Sequence, residues 1–141
     1  MKIAIVGSRS LNLELPENLI GTDIKQIISG GAKGIDRCAR AYAKQHRIQI
    51  LEILPEYDLY GRYAPLKRND WILELSDMVL IFWDGKSRGS NYMIENCRKL
   101  CKPMKLFQFD NGGFRLIEEI PLLPQLPDTL FEKFVPTIIY E

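Results

Sequence analysis

The sequence predicts an α/β fold: a single three-layer, Rossmann-like domain with a mostly parallel sheet of about five strands and helices on both faces. Apolar runs of strand type alternate with segments of helical periodicity along residues 1–109. The chain has 141 residues, 46% of them hydrophobic, which is the size of one domain with a sizeable core. Short links between alternating strands and helices require crossover connections, and these make neighbouring strands parallel.

Short apolar runs predict the strands. They are rich in β-branched or aromatic residues, as is typical of strands that are buried on both faces. The predicted strands are residues 3–6, 26–29, 48–54, 78–83 and 104–109. A turn at 110–113, with the sequence Asp-Asn-Gly-Gly, then predicts a hairpin to an antiparallel strand at 114–120.

Helices are predicted between these strands. Residues 34–46 place apolar side chains on one face and basic side chains on the other. Similar spacing predicts helices at 65–75 and 90–100, and a further helical segment is predicted over 13–21. In the helix at 65–75, we expect Trp71, Ile72 and Leu75 to be the anchors in the core.

The last part of the chain differs from the rest. Four of the eight prolines lie at positions 121, 124, 127 and 136, so a long uninterrupted helix is excluded there. We therefore predict a domain at residues 1–109. Residues 110–141 are predicted to be a hairpin strand and a proline-rich extension that packs on the same domain or on a partner subunit, which would make a homo-oligomer.

Composition limits the classes of function. The formal net charge is +1 and no long block of like charge occurs, so the sequence lacks the basic balance of a protein that coats nucleic acid. No apolar run has transmembrane length or the pattern of a signal sequence, so we expect a cytoplasmic protein without membrane association. Three cysteines and one histidine favour a reducing compartment and predict no metal site.

Four loops each follow a predicted strand or begin a predicted helix, at residues 7–10, 29–36, 62–69 and 85–90; three of them are rich in glycine and serine, and the loop at 62–69 is rich in basic residues. The carboxyl ends of parallel strands meet at one edge of a sheet, where such folds bind their ligands. Small residues allow backbone to approach a ligand, and helix N-termini attract anions. We therefore interpret the loops as one cradle for a phosphate or a nucleotide.

The second loop, with the sequence Ser-Gly-Gly-Ala-Lys-Gly-Ile-Asp, is the most specific of the four. Its backbone amides are expected to form an anion nest before a helix, with Lys33 adding a point charge. Asp36 has two possible roles, as a helix cap or as an acceptor for a ribose hydroxyl. The loop matches neither the Walker pattern nor the dinucleotide fingerprint, which disfavours a P-loop ATPase and an ordinary NAD dehydrogenase.

The other loops supply charge and hydroxyl groups. Arg9 offers a planar fork that matches phosphate oxygens. In the third loop, Lys67, Arg68 and Asn69 are expected to project towards the other loops. Serines of the fourth loop bond either a ligand or the helix end. The predicted ligand-binding residues are Gly7, Ser8, Arg9, Ser10, Ser29, Gly30, Gly31, Ala32, Lys33, Gly34, Asp36, Lys67, Arg68, Asn69, Asp84, Gly85, Ser87, Gly89 and Ser90.

These motifs resemble the SLOG superfamily, which joins the Rossmann-like domain of DprA with the Lonely Guy (LOG) phosphoribohydrolases. The resemblance covers roughly residues 1–109 and is greatest at residues 29–36, where the DprA-type domain has a very similar Ser-Gly-x-Ala-x-Gly-Ile-Asp. It is nearest to the small stand-alone group related to YspA and YpsA. It implies binding of a nucleotide or nucleotide-derived ligand, and no other cofactor is identified.

Two alternative functions follow from the same resemblance. A LOG-like N-glycosidic hydrolase would use Arg68 as its arginine. The fourth loop lacks the family's Pro-Gly-Gly-x-Gly-Thr-x-x-Glu turn, with Met93 three residues after Ser90, so Asp36 or Asp84 would have to replace the glutamate and no catalytic residue is assigned. A DprA-like activity would bind single-stranded nucleic acid, with tyrosines 57, 60 and 63 stacking on bases.

Overall fold

The computed structural model describes residues 1–122. Within them, six strands form one sheet in the order β3-β2-β1-β4-β5-β6, in which the first five strands are parallel and β6 is antiparallel to β5. The predicted α/β fold with a mostly parallel sheet is confirmed. The strands are β1 Lys2–Gly7, β2 Gln26–Ser29, β3 Gln49–Glu52, β4 Met78–Trp83, β5 Met104–Asp110 and β6 Gly113–Ile120.

Five helices connect the strands or lie beside them. The three long helices match the predicted segments closely. The helices are α1 Glu17–Ile20, α2 Ile35–Gln45, α3 Tyr57–Tyr60, α4 Ala64–Leu75 and α5 Arg88–Leu100, and a 3₁₀ turn at Gly61–Tyr63 leads from α3 into α4. The helix predicted over 13–21 is reduced to the single turn of α1, although its neighbours Leu11 and Leu15 are buried.

The predicted hairpin between β5 and β6 is confirmed. Asn111 and Gly112 both have positive φ, 48° and 82°, which is the geometry of a tight hairpin turn that follows the twist of the strands. Asp110 pairs with Gly113 at the turn. The hairpin thus belongs to the same sheet as the rest of the domain, whereas the proline-rich extension predicted after it falls almost wholly in residues 123–141, outside the described residues.

Two layers of apolar side chains cover the two faces of the sheet. One layer joins β1 and β2 to α2 through Ile5, Ile27 and Ile35. The other joins β4 to α4 and α5 through residues such as Ile72 and Ile94. Helices therefore lie on both faces, as predicted.

The predicted anchors of α4 are partly wrong. Ile72 is fully buried, but Trp71 is 52% exposed and Leu75 is 42% exposed. The buried face of α4 also carries Arg68 and Asn69, and Arg68 is buried where it reaches the Gly30 carbonyl oxygen of the second loop. The apolar residues of α4 cover more than one side of the helix, apart from the exposed side with Lys67, Asp70 and Glu74, so their spacing alone does not indicate which part faces the sheet.

The sheet order reverses at β1. After β1 the chain moves through β2 and β3 to one side, and it then crosses to β4 and β5 on the other side. The carboxyl ends of β1 and β4, at Gly7 and Trp83, are therefore the point at which the crossover helices separate to opposite faces. This is the position at which α/β sheets form a ligand crevice.

Candidate functional site

A cleft with a volume of about 420 Å³ opens beyond the carboxyl ends of β1 and β4. It draws on all four predicted loops and on α4 and α5. The predicted residues that line it are Gly7, Arg9, Ser10, Ala32, Asp36, Arg68, Asn69, Asp84, Ser87, Gly89 and Ser90. A volume of this size is in the range of small-ligand sites.

The first and fourth loops are joined by hydrogen bonds. The Ser8 amide donates to the carbonyl oxygen of Phe82 at 3.0 Å, and the Asp84 amide donates to Ser8 Oγ at 2.9 Å. Ser8 Oγ also lies 2.5 Å from Ser87 Oγ. Ser8 is 1% exposed, so the structure assigns it to holding the two loops together, and it does not line the cleft.

Asp84 is the centre of the fourth loop. Its Oδ1 accepts bonds from the Lys86 amide, the Ser87 amide and Ser87 Oγ at 2.8–2.9 Å, and its Oδ2 accepts a bond from Ser10 Oγ at 2.6 Å. Burial acts to raise the pKa of Asp84, but these bonds outweigh burial and hold the pKa well below its ordinary value. Asp84 is therefore an ionised carboxylate whose oxygens are already occupied by the protein.

The second loop uses several of its amides internally. The Gly31 amide donates to Ser29 Oγ at 3.4 Å, and the Ala32 amide donates to Asp36 Oδ2 at 3.1 Å. The Ile35 amide donates to the carbonyl oxygen of Ser8 at 3.2 Å. These three amides are engaged with acceptors of the protein, so the expected anion nest has fewer free donors than its sequence indicates.

Glycine is required at position 34 by the crossing of the first and second loops. Gly34 has φ +73°, and a Cβ there would overlap the Ser8 carbonyl oxygen and lie 2.5 Å from Arg9 Cα. Gly7 is similar, because a Cβ on it would overlap the carbonyl oxygen of Phe82. Close packing of backbone on backbone is thus one reason for these glycines, apart from any approach of a ligand.

Asp36 and Arg68 lie against the same stretch of the second loop. Arg68 Nη1 donates to the Gly30 carbonyl oxygen at 2.6 Å, and its Nε donates to Asn69 Oδ1 at 3.0 Å. A Cβ on Gly30 would stand 2.5 Å from Arg68 Nη1 and 3.0 Å from Asp36 Oδ2. Because Gly30 has no side chain, the buried carboxylate of Asp36 and the buried guanidinium of Arg68 can both approach the backbone of the second loop.

Asp36 retains an unused acceptor. Its side chain does not cap α2, because the N-cap of α2 is Gly34 and no side chain bonds there. Asp36 Oδ2 accepts the Ala32 amide, but Oδ1 is buried without a hydrogen-bond partner. Burial raises the pKa of Asp36, against the lowering effects of the Ala32 amide and of the Arg68 and Arg9 charges.

The first turn of α5 forms the opposite wall of the cleft. Arg88, Gly89 and Ser90 line it, and first-turn amides have no acceptor within their own helix. Ser90 is 5% exposed, and its hydroxyl is a second buried polar atom without a partner. The indole nitrogen of Trp83 donates to the Ser87 carbonyl oxygen at 3.2 Å, which fixes the loop that leads into this turn.

Some predicted residues lie away from the cleft. Lys33 and Lys67 are exposed and do not line it. Ser29 and Gly30, at the start of the second loop, are buried. Gly31 faces Leu54 and Glu52 rather than the cleft. The others that do not line the cleft are Ser8, Gly34 and Gly85.

The sequence-based residue set omitted several residues that line the cleft. Arg88 is the main one, and its position at the start of the helix after a Gly-Lys-Ser turn was the available signal. The remaining omissions are apolar wall residues, for which the sequence carries no signal of contact with a ligand: Val6, Pro65, Leu66, Ile72 and Met93.

Residues 1–122 contain no group of three or more His, Cys, Asp or Glu side chains arranged to hold a metal ion. In the same part of the chain, no helix combines the length and the apolar character needed to cross a bilayer. Comparison of the chain with protein-family models, with curated proteins and with solved structures finds no match. The resemblance to the SLOG superfamily therefore stays a prediction.

Proposed function

We propose that the protein binds a nucleotide or nucleotide-derived ligand in the cleft at the ends of β1 and β4. One observation carries the proposal: two buried polar atoms without partners, Asp36 Oδ1 and Ser90 Oγ, belong to residues that line a cleft with three arginines. Unpaired buried polar atoms are costly, and a ligand that hydrogen-bonds them removes that cost. A ligand with both hydroxyl groups and a phosphate matches these groups.

The anionic part of the ligand is assigned to the α5 side of the cleft. Arg88 lies there beside the free amides of the first helical turn, and the helix dipole favours negative charge at this end. Arg9 lines the same cleft from the first loop. The basic residue of the second loop, Lys33, does not line the cleft, whereas Arg88 does, so we place the phosphate at the fourth loop.

The hydroxyl-bearing part is assigned to Asp36. Asp84 is the other carboxylate of the cleft, but its four internal hydrogen bonds leave it committed to the fourth loop. Asp36 has a free oxygen, Oδ1, that can accept a hydrogen bond from a ribose hydroxyl or from an amino group. The sequence left Asp36 and Asp84 as alternative carboxylates for contact with the sugar, and the contacts favour Asp36.

N-glycosidic hydrolysis is a second candidate function. It is supported by the proximity of Asp36, a buried carboxyl group with a raised pKa, to Arg68, which the family resemblance equates with the LOG arginine. A carboxyl group of this kind can supply a proton or stabilise positive charge at a sugar carbon. Within either proposal the setting is cytoplasmic, because Cys38, Cys97 and Cys101 are free thiols.

Isothermal titration with a panel of nucleotides, NAD and ADP-ribose tests the proposal, with inorganic phosphate and a nucleoside as partial ligands. We expect the phosphorylated compounds to bind, and Arg88→Gln to weaken their affinity at least about tenfold, the loss of roughly one charge-assisted hydrogen bond. Lys86→Gln is the matched control, because it removes the same charge from an exposed residue of the same loop that does not line the cleft.

The outcomes separate the two functions. Binding that survives Arg88→Gln and is lost in Lys86→Gln would contradict the assigned phosphate position, and failure of every compound to bind would contradict the function. Chromatography of the same mixtures reports free base. Base release that disappears in Asp36→Asn, with nucleotide affinity retained, would favour hydrolysis over binding alone.

A further inference from the structure

A second surface of the molecule is unusually apolar. Thirteen large hydrophobic side chains are exposed within residues 1–122, and nine of them lie between residues 51 and 75. Leu51, Leu54, Tyr60, Trp71 and Leu75 among them line a groove of about 410 Å³ between β3 and the outer side of α4. We call this surface the apolar face. Contiguous apolar surface of this kind marks interaction sites on proteins.

The apolar surface of helix α4 is wider than the side that packs into the core. Its inner side packs Ile72 and Leu73 into the core, while an adjoining outer side presents Trp71 and Leu75 to solvent. The apolar stripe of a helix normally packs against a partner. One copy of the chain buries only the inner side of α4, within the residues that the structure describes.

The apolar face also includes a sheet edge that no other strand of residues 1–122 covers. β3 is the last strand on its side of the sheet order, and its outer backbone groups face away from β2. Edge strands of this kind pair with other chains unless they are covered. An edge strand beside an exposed apolar groove is suited to a protein partner, because backbone pairing and apolar burial act together there.

Charges around the apolar face distinguish between partners. Glu56 and Lys67 are exposed and both line the groove, so both signs occur on one surface. The carboxylate of Glu52 lines the groove as well, and the two carboxylates disfavour contact with a phosphate backbone. A two-fold axis brings the same patch of two copies together, and such a mixed patch can pair its own acidic and basic groups across the axis.

We propose that the apolar face is the surface through which two copies of this chain associate about a two-fold axis. Association removes Trp71 and Leu75 from water and covers the β3 edge. It also reaches the cleft, because Arg68 lines both cavities and Leu54 lies 2.7 Å from the position of a Cβ on Gly31. The dimer therefore supports the second loop from behind.

Analytical ultracentrifugation of the full chain tests the proposal without any ligand, so its outcome is independent of the proposed function. We expect the unmodified protein to sediment as a dimer at micromolar concentration and Trp71→Glu to sediment as a monomer with an unchanged far-ultraviolet circular dichroism spectrum. Leu51→Lys, on the edge strand, should do the same. Leu100→Glu is the matched control, since Leu100 is 63% exposed at the end of α5 and should leave the dimer intact.

Three results would overturn the proposal. The first is a monomer at every concentration. The second is a dimer that persists in both Trp71→Glu and Leu51→Lys, which would place the interface elsewhere. The third is a monomer whose binding to a single-stranded oligonucleotide is lost in Trp71→Glu, which would assign the exposed tyrosines and Trp71 to nucleic acid.

Discussion

Asp36 and Asp84 are two carboxyl groups of one cleft in opposite environments. Asp84 accepts hydrogen bonds from two amides and two hydroxyls, which lower its pKa, whereas Asp36 is buried with a single bond from the Ala32 amide, and burial raises its pKa. A pair of titratable groups whose environments separate their pKa values is a common arrangement at functional sites. At the scale of single residues, Asp36 is therefore the carboxyl group of the cleft that keeps an oxygen without a hydrogen-bond partner, and the proposed ligand contact depends on it.

Substitution of Asp36 by Asn should stabilise the protein at neutral pH. Because burial raises the pKa above the ordinary 3.8, ionisation of Asp36 costs more in the folded state than in the unfolded state. This cost is absent below pH 3.8, grows as the pH rises from 3.8 to the raised pKa, and is constant above it. Asn keeps an acceptor for the Ala32 amide and carries no charge, so its melting temperature should exceed that of the parent at pH 7.

Thermal unfolding of both proteins across a pH series provides the measurement. The difference in melting temperature should shrink towards zero as the pH falls below 3.8, where the carboxyl group is protonated in both states. A variant that is less stable than the parent at pH 7 would show instead that attraction to Arg68 outweighs burial. Asp36 would then be a structural ion-pair partner.

The sequence identified most of the polar residues of the cleft and misjudged the environment of several of them. Gly-rich loops after strands indicate the position of a site through backbone chemistry, which is local. The depth of Arg68 is not local, because it depends on which side of α4 meets the sheet. The exposure of Lys33 and Lys67 likewise follows from the direction of each side chain, which residue type does not specify.

Among the elements, the crossing of the first and second loops is the most sterically constrained part of the site. Gly34 stands before α2 with positive φ and touches the backbone of Ser8 and Arg9. Both the conformation and the lack of space exclude a side chain at this position. The geometry of two cleft loops therefore depends on one glycine that does not line the cleft.

Gly34→Ala should lower the free energy of unfolding by at least about 2 kcal/mol, because it combines left-handed backbone with steric overlap. Gly89→Ala is the control, since Gly89 lies in the first turn of α5 with open space around its Cβ position. Its stability should be unchanged or higher by up to about 1 kcal/mol. Urea unfolding curves give both values. Equal stability of the two variants would contradict the steric constraint on Gly34 at the crossing of the two loops.

The strands were predicted more accurately than the outer side of α4. Short apolar runs identify strands that are buried on both faces, and β2 and β4 coincide with the predicted limits. The periodicity of α4 predicted a helix correctly but placed Trp71 and Leu75 in the core. When the apolar surface of a helix is wider than the side that packs on the sheet, the pattern does not show which of its residues are buried there.

For the whole molecule, the sheet separates two apolar layers that share its strands. Ile27, on β2, belongs to the layer between the sheet and α2. Ile94, on α5, belongs to the layer on the other face of the sheet. Both are essentially fully buried. If the layers form one cooperative domain, a substitution in either layer should lower the stability of the whole fold. Every spectroscopic probe should then report the same unfolding transition.

Ile27→Val and Ile94→Val should each cost about 0.5–1.5 kcal/mol, and the double variant should cost their sum to within about 0.5 kcal/mol, because they lie on opposite sides of the sheet. Urea unfolding followed by circular dichroism and by fluorescence gives these values. A single shared transition is expected. Two separate transitions would instead divide the chain into units that fold independently.

The alternation of strands and helices was sufficient to predict a parallel sheet with helices on both faces. The ligand site predicted at the carboxyl ends of the strands stays a prediction, and the structure has a cleft there. The sequence did not specify the order of the strands. It is the position of β1 between β2 and β4 that brings the first and fourth loops into contact. Contacts such as that of Ser8 with Asp84 join residues 76 positions apart, and no local pattern encodes them.

The hydrogen bond from the indole of Trp83 to Ser87 has an optical consequence. The chain has two tryptophans, and Trp83 is held at the fourth loop while Trp71 stands in the apolar face. Each proposed event therefore has its own intrinsic fluorophore. Ligand entry should change emission from the partly buried indole, and association should shift the solvent-exposed indole to shorter wavelength. In one unlabelled sample, the emission wavelength and the accessibility of each tryptophan to a quencher can then distinguish ligand binding from association.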